Sequence, residues 1–175
     1  MGKRSNFNRA DRDFYPTPLK AVEPLITKLR KGTSYYEPCA GDGALIKHLK
    51  SNGLMCVFAC DIAPKNNTIL KKDMFDINMT KKQIITNPPW DRKILHRLIE
   101  KIVAENAKAW LLFDADWMHT KQSARYMPYC SDIVSVGRVR WIENSKSTGK
   151  DNCAWYAFSS NCIGTNFTGR VSDDV

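Results

Sequence analysis

The run Asn87-Pro88-Pro89-Trp90 carries the most specific chemistry in this chain. Two successive prolines remove two N–H donors and fix a rigid corner, which leaves the Asn87 side-chain oxygen and the Pro88 carbonyl as acceptors. An amino group conjugated to a ring or a carbonyl is a poor nucleophile because its lone pair is delocalised. Two acceptors that hold its hydrogens turn that lone pair toward an electrophile such as a sulfonium methyl, and they favour the positive charge that develops. Trp90 adds an aromatic face for a planar substrate, an interaction of about 1–3 kcal/mol per nucleic-acid base.

A second constellation precedes it. In Glu37-Pro38-Cys39-Ala40-Gly41-Asp42-Gly43 the two glycines lack the side chains that would keep a ligand away from backbone N–H groups and from the helix that follows. Ile46 stands where a dinucleotide fingerprint has its third glycine, which argues against a nicotinamide cofactor. Asp61, at the end of the next apolar segment, has the acceptors for two ribose hydroxyls, although an N-cap or turn role fits it equally. Asp73-Met74-Phe75 offers a carboxylate for an adenine amino group between apolar flanks. Together the three sites describe an adenosine-type ligand.

The elements that must position these residues alternate. The apolar spacing from Leu19 to Leu29 predicts a helix with Pro18 near its start and Gly32 beyond its end. Ser34 to Glu37 reads as a strand, the glycine loop follows, and Ala44 to Lys50 reads as a helix. Met55 to Cys60, Gln83 to Thr86 and Ala109 to Phe113 read as further strands, with an amphipathic helix over Ile94 to Val103. Trp117 to Tyr129 is a helical candidate. Strands alternating with helices imply a parallel sheet covered on both faces, with ligands at the strands' carboxyl ends. Asp132 to Ile142 and Cys153 to Ser159, joined by the polar segment Glu143 to Asn152, predict an antiparallel hairpin at the sheet edge.

The chain has 175 residues, 43% of them hydrophobic, enough for one core and too few for two domains of ordinary size. The predicted organisation is a basic arm over residues 1–13, one domain over 14–160 and a tail over 161–175. The arm carries Lys3, Arg4, Arg9 and Arg12 among few apolar residues, a composition that cannot offset the entropy of ordering. With 27 Lys and Arg against 18 Asp and Glu, the formal charge is +9, which favours a polyanionic partner. No apolar stretch has membrane-spanning length and the first residues form no signal-peptide core, so no membrane partner and a cytoplasmic location are expected. The six cysteines include no Cys-x-x-Cys pair, so no metal site is expected.

On the tetrapeptide and the glycine loop the chain resembles the class I S-adenosylmethionine-dependent amino-methyltransferases, in particular the small phage-type DNA adenine N6-methyltransferases. The resemblance extends over Phe14 to Ser159. It implies a single-domain, Rossmann-like α/β fold with a mostly parallel seven-stranded sheet, an antiparallel C-terminal hairpin and helices on both faces. It also implies S-adenosylmethionine as cofactor, S-adenosylhomocysteine as product, DNA as partner, and a bacterial or phage-infected host cell. The residues it assigns to the cofactor are Tyr15, Thr17 and Pro18 in Phe14-Tyr15-Pro16-Thr17-Pro18, then Glu37, Cys39, Ala40, Gly41 and Gly43. Asp61 with Ile62 falls at the ribose, Asp73 with Met74 at the adenine, and Asn87 at the boundary with the substrate. Asn87, Pro88, Pro89 and Trp90 match the catalytic tetrapeptide, whose last residue is more often Tyr or Phe. The segment Arg138 to Phe158, with Gly149, Asp151, Asn152 and Trp155-Tyr156, is similar to the family's closing segment near the target base.

Tyr15 and Trp90 are expected to frame that base, and Arg92, Lys93, Arg138 and Arg140 to anchor the backbone. Many relatives carry a separate target-recognition domain for which 175 residues leave no room, so short loops such as Ala115 to His119 and Glu143 to Asn152 inherit any specificity. Cytosine C5 chemistry is disfavoured, because it needs a thiolate and no cysteine adjoins the tetrapeptide. Three alternatives remain at this point: RNA adenine or guanine methylation, glutamine methylation in a protein, and a catalytically silent nucleic-acid-binding subunit.

Overall fold

A computed structural model describes residues 15–142, 149 and 151–170. The expected basic arm, Phe14, residues 143–148 and 150 of the polar segment, and residues 171–175 lie outside the described residues.

Among the described residues, eight strands form one sheet in the order β3-β2-β1-β4-β5-β7-β6-β8. They are β1 (Ser34–Glu37), β2 (Met55–Asp61), β3 (Leu70–Lys71), β4 (Gln83–Thr86), β5 (Lys108–Asp114), β6 (Cys130–Gly137), β7 (Cys153–Ser159) and β8 (Asn166–Thr168). The pairs among β1 to β5 are parallel. β7 runs antiparallel to both β5 and β6, and β8 lies parallel to β6.

Three expectations are corrected. The sheet has eight strands rather than seven, because Asn166–Thr168, inside the segment expected as a tail, pairs with β6. The hairpin is not the edge: β7 lies between β5 and β6, and β8 covers the outer side of β6. The strand expected over Asp132 to Ile142 begins at Cys130 and stops at Gly137, whose φ of 84° turns the chain out of the sheet.

α1 (Leu19–Ile26) follows Pro18, whose fixed φ suits a helix start. It ends three residues earlier than the apolar spacing predicts, the chain passing into tighter turns in which Lys28 N–H donates to the Leu25 carbonyl at 2.9 Å and Leu29 N–H to the Ile26 carbonyl at 3.1 Å. The Thr27 hydroxyl then donates to the Pro24 carbonyl at 3.0 Å. α2 is Ala44–Ser51, and α3 is Arg92–Ala104 with Asp91 as its N-cap, accepting from the N–H groups of Lys93 and Ile94. The helix expected over Trp117 to Tyr129 is instead a series of short 3-10 turns, Ala115–His119, Lys121–Arg125 and Met127–Tyr129, broken at Thr120 and Tyr126, with Pro128 in the last.

Two apolar layers sandwich the sheet. Val22 and Leu25 of α1 and Leu45 and Leu49 of α2 pack with Tyr35, Ile85, Leu112 and Trp155. Leu95, Leu98, Ile99 and Ile102 of α3, one stripe at helical spacing, pack on the other face with Ile84, Leu111, Phe113 and Tyr156. Each such aliphatic side chain taken out of water stabilises the fold by about 1.5–3 kcal/mol. With both faces covered, the carboxyl ends of β1, β2 and β4 are left to present loops. No described helix is long and apolar enough to cross a membrane.

Candidate functional site

At the end of β1, Glu37 is fully buried. Its Oε1 accepts from the Thr86 hydroxyl and, at 3.2 Å, from the Cys39 N–H, while Oε2 has no partner among the described residues. Burial pushes its pKa up to about 8, and those two donors offset part of the rise. The chain then turns through Gly41 (φ 54°) and Gly43 (φ 88°), conformations that L side chains rarely adopt. The turn is pinned by its backbone. The Gly41 N–H donates to Asp61 Oδ2 at 2.9 Å, Ala40 N–H to the Cys60 carbonyl at 2.9 Å and Gly43 N–H to the Ala40 carbonyl at 2.7 Å.

Asp61 therefore ties the end of β2 to the glycine loop, and its Oδ1 accepts from the Ala63 N–H at 2.8 Å. An ionised carboxylate has about four lone-pair sites, so acceptor capacity remains beyond these two bonds. The exposed Ile62 follows it directly. Asp73 caps the 3-10 turn Met74–Asp76 by accepting from the Phe75 N–H at 2.9 Å. Met74 approaches the loop, its Sδ lying 3.4 Å from Cys39 Sγ. Burial raises the Cys39 thiol well above its ordinary pKa, so it packs as a neutral side chain. Direct contacts thus link Glu37, Cys39 and Met74 and, separately, Asp61 with Gly41, two residues along the same loop from Cys39. Among the described residues, no group of His, Cys, Asp or Glu side chains is placed to hold a metal ion.

The tetrapeptide joins β4 to the cap of α3. Asn87 is half-buried and Pro88 buried. Asn87 Nδ2 donates to Thr17 Oγ1 at 3.2 Å, and Trp90 Nε1 donates to Asn87 Oδ1 at 3.2 Å. Trp90 meets Trp141 edge to face, with ring centroids 5.6 Å apart and planes at 88°, and Tyr15 approaches Trp141 from 6.4 Å. Gly149 donates its N–H to the Val139 carbonyl at 2.9 Å, and a Cβ there would stand 3.0 Å from the Trp141 ring. Tyr15 and Thr17, from before α1, and Trp141, from after β6, therefore meet at the tetrapeptide.

Trp141 lies in the segment expected near the target base but was not singled out as a site residue. Its sequence signal was an aromatic directly after Arg138 and Arg140, read as part of a strand that in fact ends at Gly137. The opposite correction applies to Trp155 and Tyr156, expected near the target base. β7 lies inside the sheet, so both are fully buried. The Trp155 indole N–H donates to the Ala21 carbonyl at 2.7 Å, and the Tyr156 hydroxyl donates at 2.9 Å to the Ala115 carbonyl. In the turn Ala115–His119, Trp117 is likewise buried and donates to His96 Nε2 at 3.0 Å. Arg92, Lys93, Arg138 and Arg140 are exposed and follow the carboxyl ends of β4 and β6, on the same rim as the tetrapeptide. Arg92 also donates to Gln122 Oε1 at 3.1 Å.

The sheet order and the placement of the glycine loop define the fold of the class I S-adenosylmethionine-dependent methyltransferases. Comparison with solved structures agrees. A protein from Listeria monocytogenes assigned to that class superposes with a TM-score of 0.57 at 11% identity, over 94% of this chain and 66% of that one. A modification subunit assigned to a type I restriction enzyme of Vibrio vulnificus YJ016 gives 0.53 at 11% identity, over 93% and 48%. A chain from a type I restriction–modification system gives 0.50 at 12% identity, over 96% and 47%. This chain thus spans from about half to just under two thirds of the length of these structures. No protein-family model and no curated protein matches the sequence.

Proposed function

We propose that this chain transfers a methyl group from S-adenosylmethionine to an exocyclic amino group, adenine N6 in DNA. The observation that carries the reading is the Asn87 carboxamide, held between Thr17 and Trp90 at the end of β4, one strand from the pinned glycine loop.

The residues fit the cofactor. Glu37 Oε2 is buried without a partner among the described residues, and an ammonium group beside it would favour the ionised carboxylate, which then accepts from it. Gly41 and Gly43 clear the approach to the backbone, and Asp61 retains acceptor capacity for ribose hydroxyls. Tyr15, Thr17, Pro18, Cys39, Ala40, Ile62, Asp73 and Met74 complete the proposed enclosure. When bound, S-adenosylmethionine supplies a methyl carbon made electrophilic by its positively charged sulfur.

The chain's own part is to present the nucleophile. Asn87 Oδ1 and the Pro88 carbonyl accept the two amine hydrogens and hold the nitrogen lone pair at the angle of attack; one hydrogen leaves as a proton once the new N–C bond has formed. Trp90 and Tyr15 frame the base, now with Trp141 as a third ring. In duplex DNA the base must first leave the stack, at a cost of a few kcal/mol. Arg92, Lys93, Arg138 and Arg140 serve as phosphate anchors, consistent with the charge of +9. The type I restriction–modification neighbours support the choice of DNA.

The test is transfer of labelled methyl to DNA, RNA and protein offered separately, followed by nucleoside analysis of the product. Label in N6-methyladenine of DNA is the expected result. Label in RNA or protein alone overturns the choice of polymer, and no label in any of them overturns the activity.

A further inference from the structure

An asparagine side chain has two ends of similar shape and opposite chemistry, an acceptor oxygen and a donor nitrogen. Rotated by half a turn, Asn87 would offer the target amine an N–H where an acceptor is needed. Something must therefore hold the amide one way round.

Two neighbours do this, and their chemistry fixes the orientation independently of how the amide is drawn. The indole nitrogen of Trp90 can only donate, so the Asn87 atom 3.2 Å away must be Oδ1. Nδ2 then faces Thr17 Oγ1, also at 3.2 Å, and that hydroxyl can accept. Thr17 is 5% exposed, so water does not readily replace it. The ring of a phenylalanine in place of Trp90 would carry no N–H. The tryptophan that departs from the commoner tetrapeptide is therefore one half of a clamp.

We infer that Thr17 is a positioning residue that, together with the Trp90 indole N–H, locks the Asn87 carboxamide with its oxygen toward the incoming amine. The inference rests on the proposed amine methylation for its consequence, and on the two hydrogen bonds alone for its geometry. Oδ1 has two lone pairs, so it accepts the amine hydrogen without releasing Trp90. The arrangement is preset before substrate arrives.

The test has one arm that needs no turnover. In the 15N–1H spectrum of the free protein, Trp90→Phe identifies the Trp90 indole resonance. Thr17→Val removes the acceptor at nearly constant volume, and the indole resonance should move toward the position of an unbonded N–H as the amide loses its orientation. Thr17→Ser restores the acceptor, and the resonance should stay as in the parent chain. A resonance unmoved in Thr17→Val, or moved equally in Thr17→Ser, overturns the clamp.

The second arm is kinetic. Thr17→Val should lower kcat about tenfold, the effect of losing one orienting hydrogen bond, with KM for the amine substrate nearly unchanged. Asn87→Asp puts an oxygen at both positions, so orientation no longer matters. In that background Thr17→Val should cost no more than about threefold, a non-additivity that marks action through residue 87. The same loss in both backgrounds would show that Thr17 acts elsewhere. If the parent chain methylates nothing, the proposed function fails, while the indole spectrum still decides the clamp.

Discussion

The two halves of the site are built from different materials. Around the glycine loop, backbone groups make the structure: two glycines at positive φ, N–H groups of Ala40, Gly41 and Gly43 all bonded, and one carboxylate from β2 closing the turn. Around the tetrapeptide, side chains make it, and they come from far apart in the chain: Tyr15, Thr17, Asn87, Trp90 and Trp141, with Gly149 against the last ring. The first half is local and stiff. The second exists only once Tyr15, Thr17 and Trp141, distant in sequence, have come together at the end of β4. The halves should therefore fail separately, the first through ligand binding and stability, the second through rate and substrate recognition.

Asn87→Ala is the sharpest way to separate them. Removing one of two acceptors for the developing charge should lower kcat by about 10²–10³-fold, the usual scale for such a group. Binding of S-adenosylhomocysteine, measured by calorimetry, should stay within about threefold, because the backbone of the glycine loop is untouched; a binding constant that fell with kcat would mean the halves are one site.

Glu37→Gln probes the other half through pH. In the fold the carboxyl stays protonated up to about 8 because it is buried, whereas in the unfolded chain it titrates near 4.5. Between those values the folded state binds more protons, so this group's contribution to stability falls as pH rises. The thermal midpoint of the parent chain should therefore drop by several degrees more between pH 5 and pH 8 than that of Glu37→Gln. Equal slopes would mean that Glu37 is ionised in the fold at neutral pH.

The same contrast explains what could be read before the structure. Gly41, Gly43 and Asp61 lie within one strand–loop–helix unit and the next strand, so their nearness at the ends of β1 and β2 could be read from spacing, and α3 was visible from the apolar stripe Ile94, Leu95, Leu98, Ile99 and Ile102. The parallel direction of β1, β2, β4 and β5 followed from alternating elements, whereas β3, two residues long and exposed, was not read as a strand. Trp141 was hidden because its meaning depends on Gly137 ending β6, a φ value that no periodicity reveals. Trp155 misled for the complementary reason: an aromatic pair reads the same whether its strand lies at an edge or inside the sheet, and only the insertion of β7 between β5 and β6 decides. β8 escaped because three residues with two exposed side chains have no pattern to detect.

Trp141→Ala should then raise KM for the nucleic-acid substrate by about tenfold, near the lower end of what one aromatic face contributes to a base, with binding of the cofactor product unchanged. Loss of cofactor affinity instead would place Trp141 in the first half.

The smallest change reaches the same ring from behind. At Gly149 an added methyl would stand 3.0 Å from Cδ1 and 3.2 Å from Nε1 of Trp141, and 3.1 Å from the Val139 carbonyl, tighter than ordinary contact on all three. The indole must give by a few tenths of an ångström, and it is already set edge-on against Trp90. Gly149→Ala should therefore shift Trp141 against Trp90 and raise KM only about two- to threefold, since the ring is displaced rather than removed. Trp141→Ala combined with Gly149→Ala should be no worse than Trp141→Ala alone, because the alanine then has nothing to push. Additive losses in the double variant would show that residue 149 meets the substrate itself, and that the second half of the site extends past Trp141 into the connection beyond it.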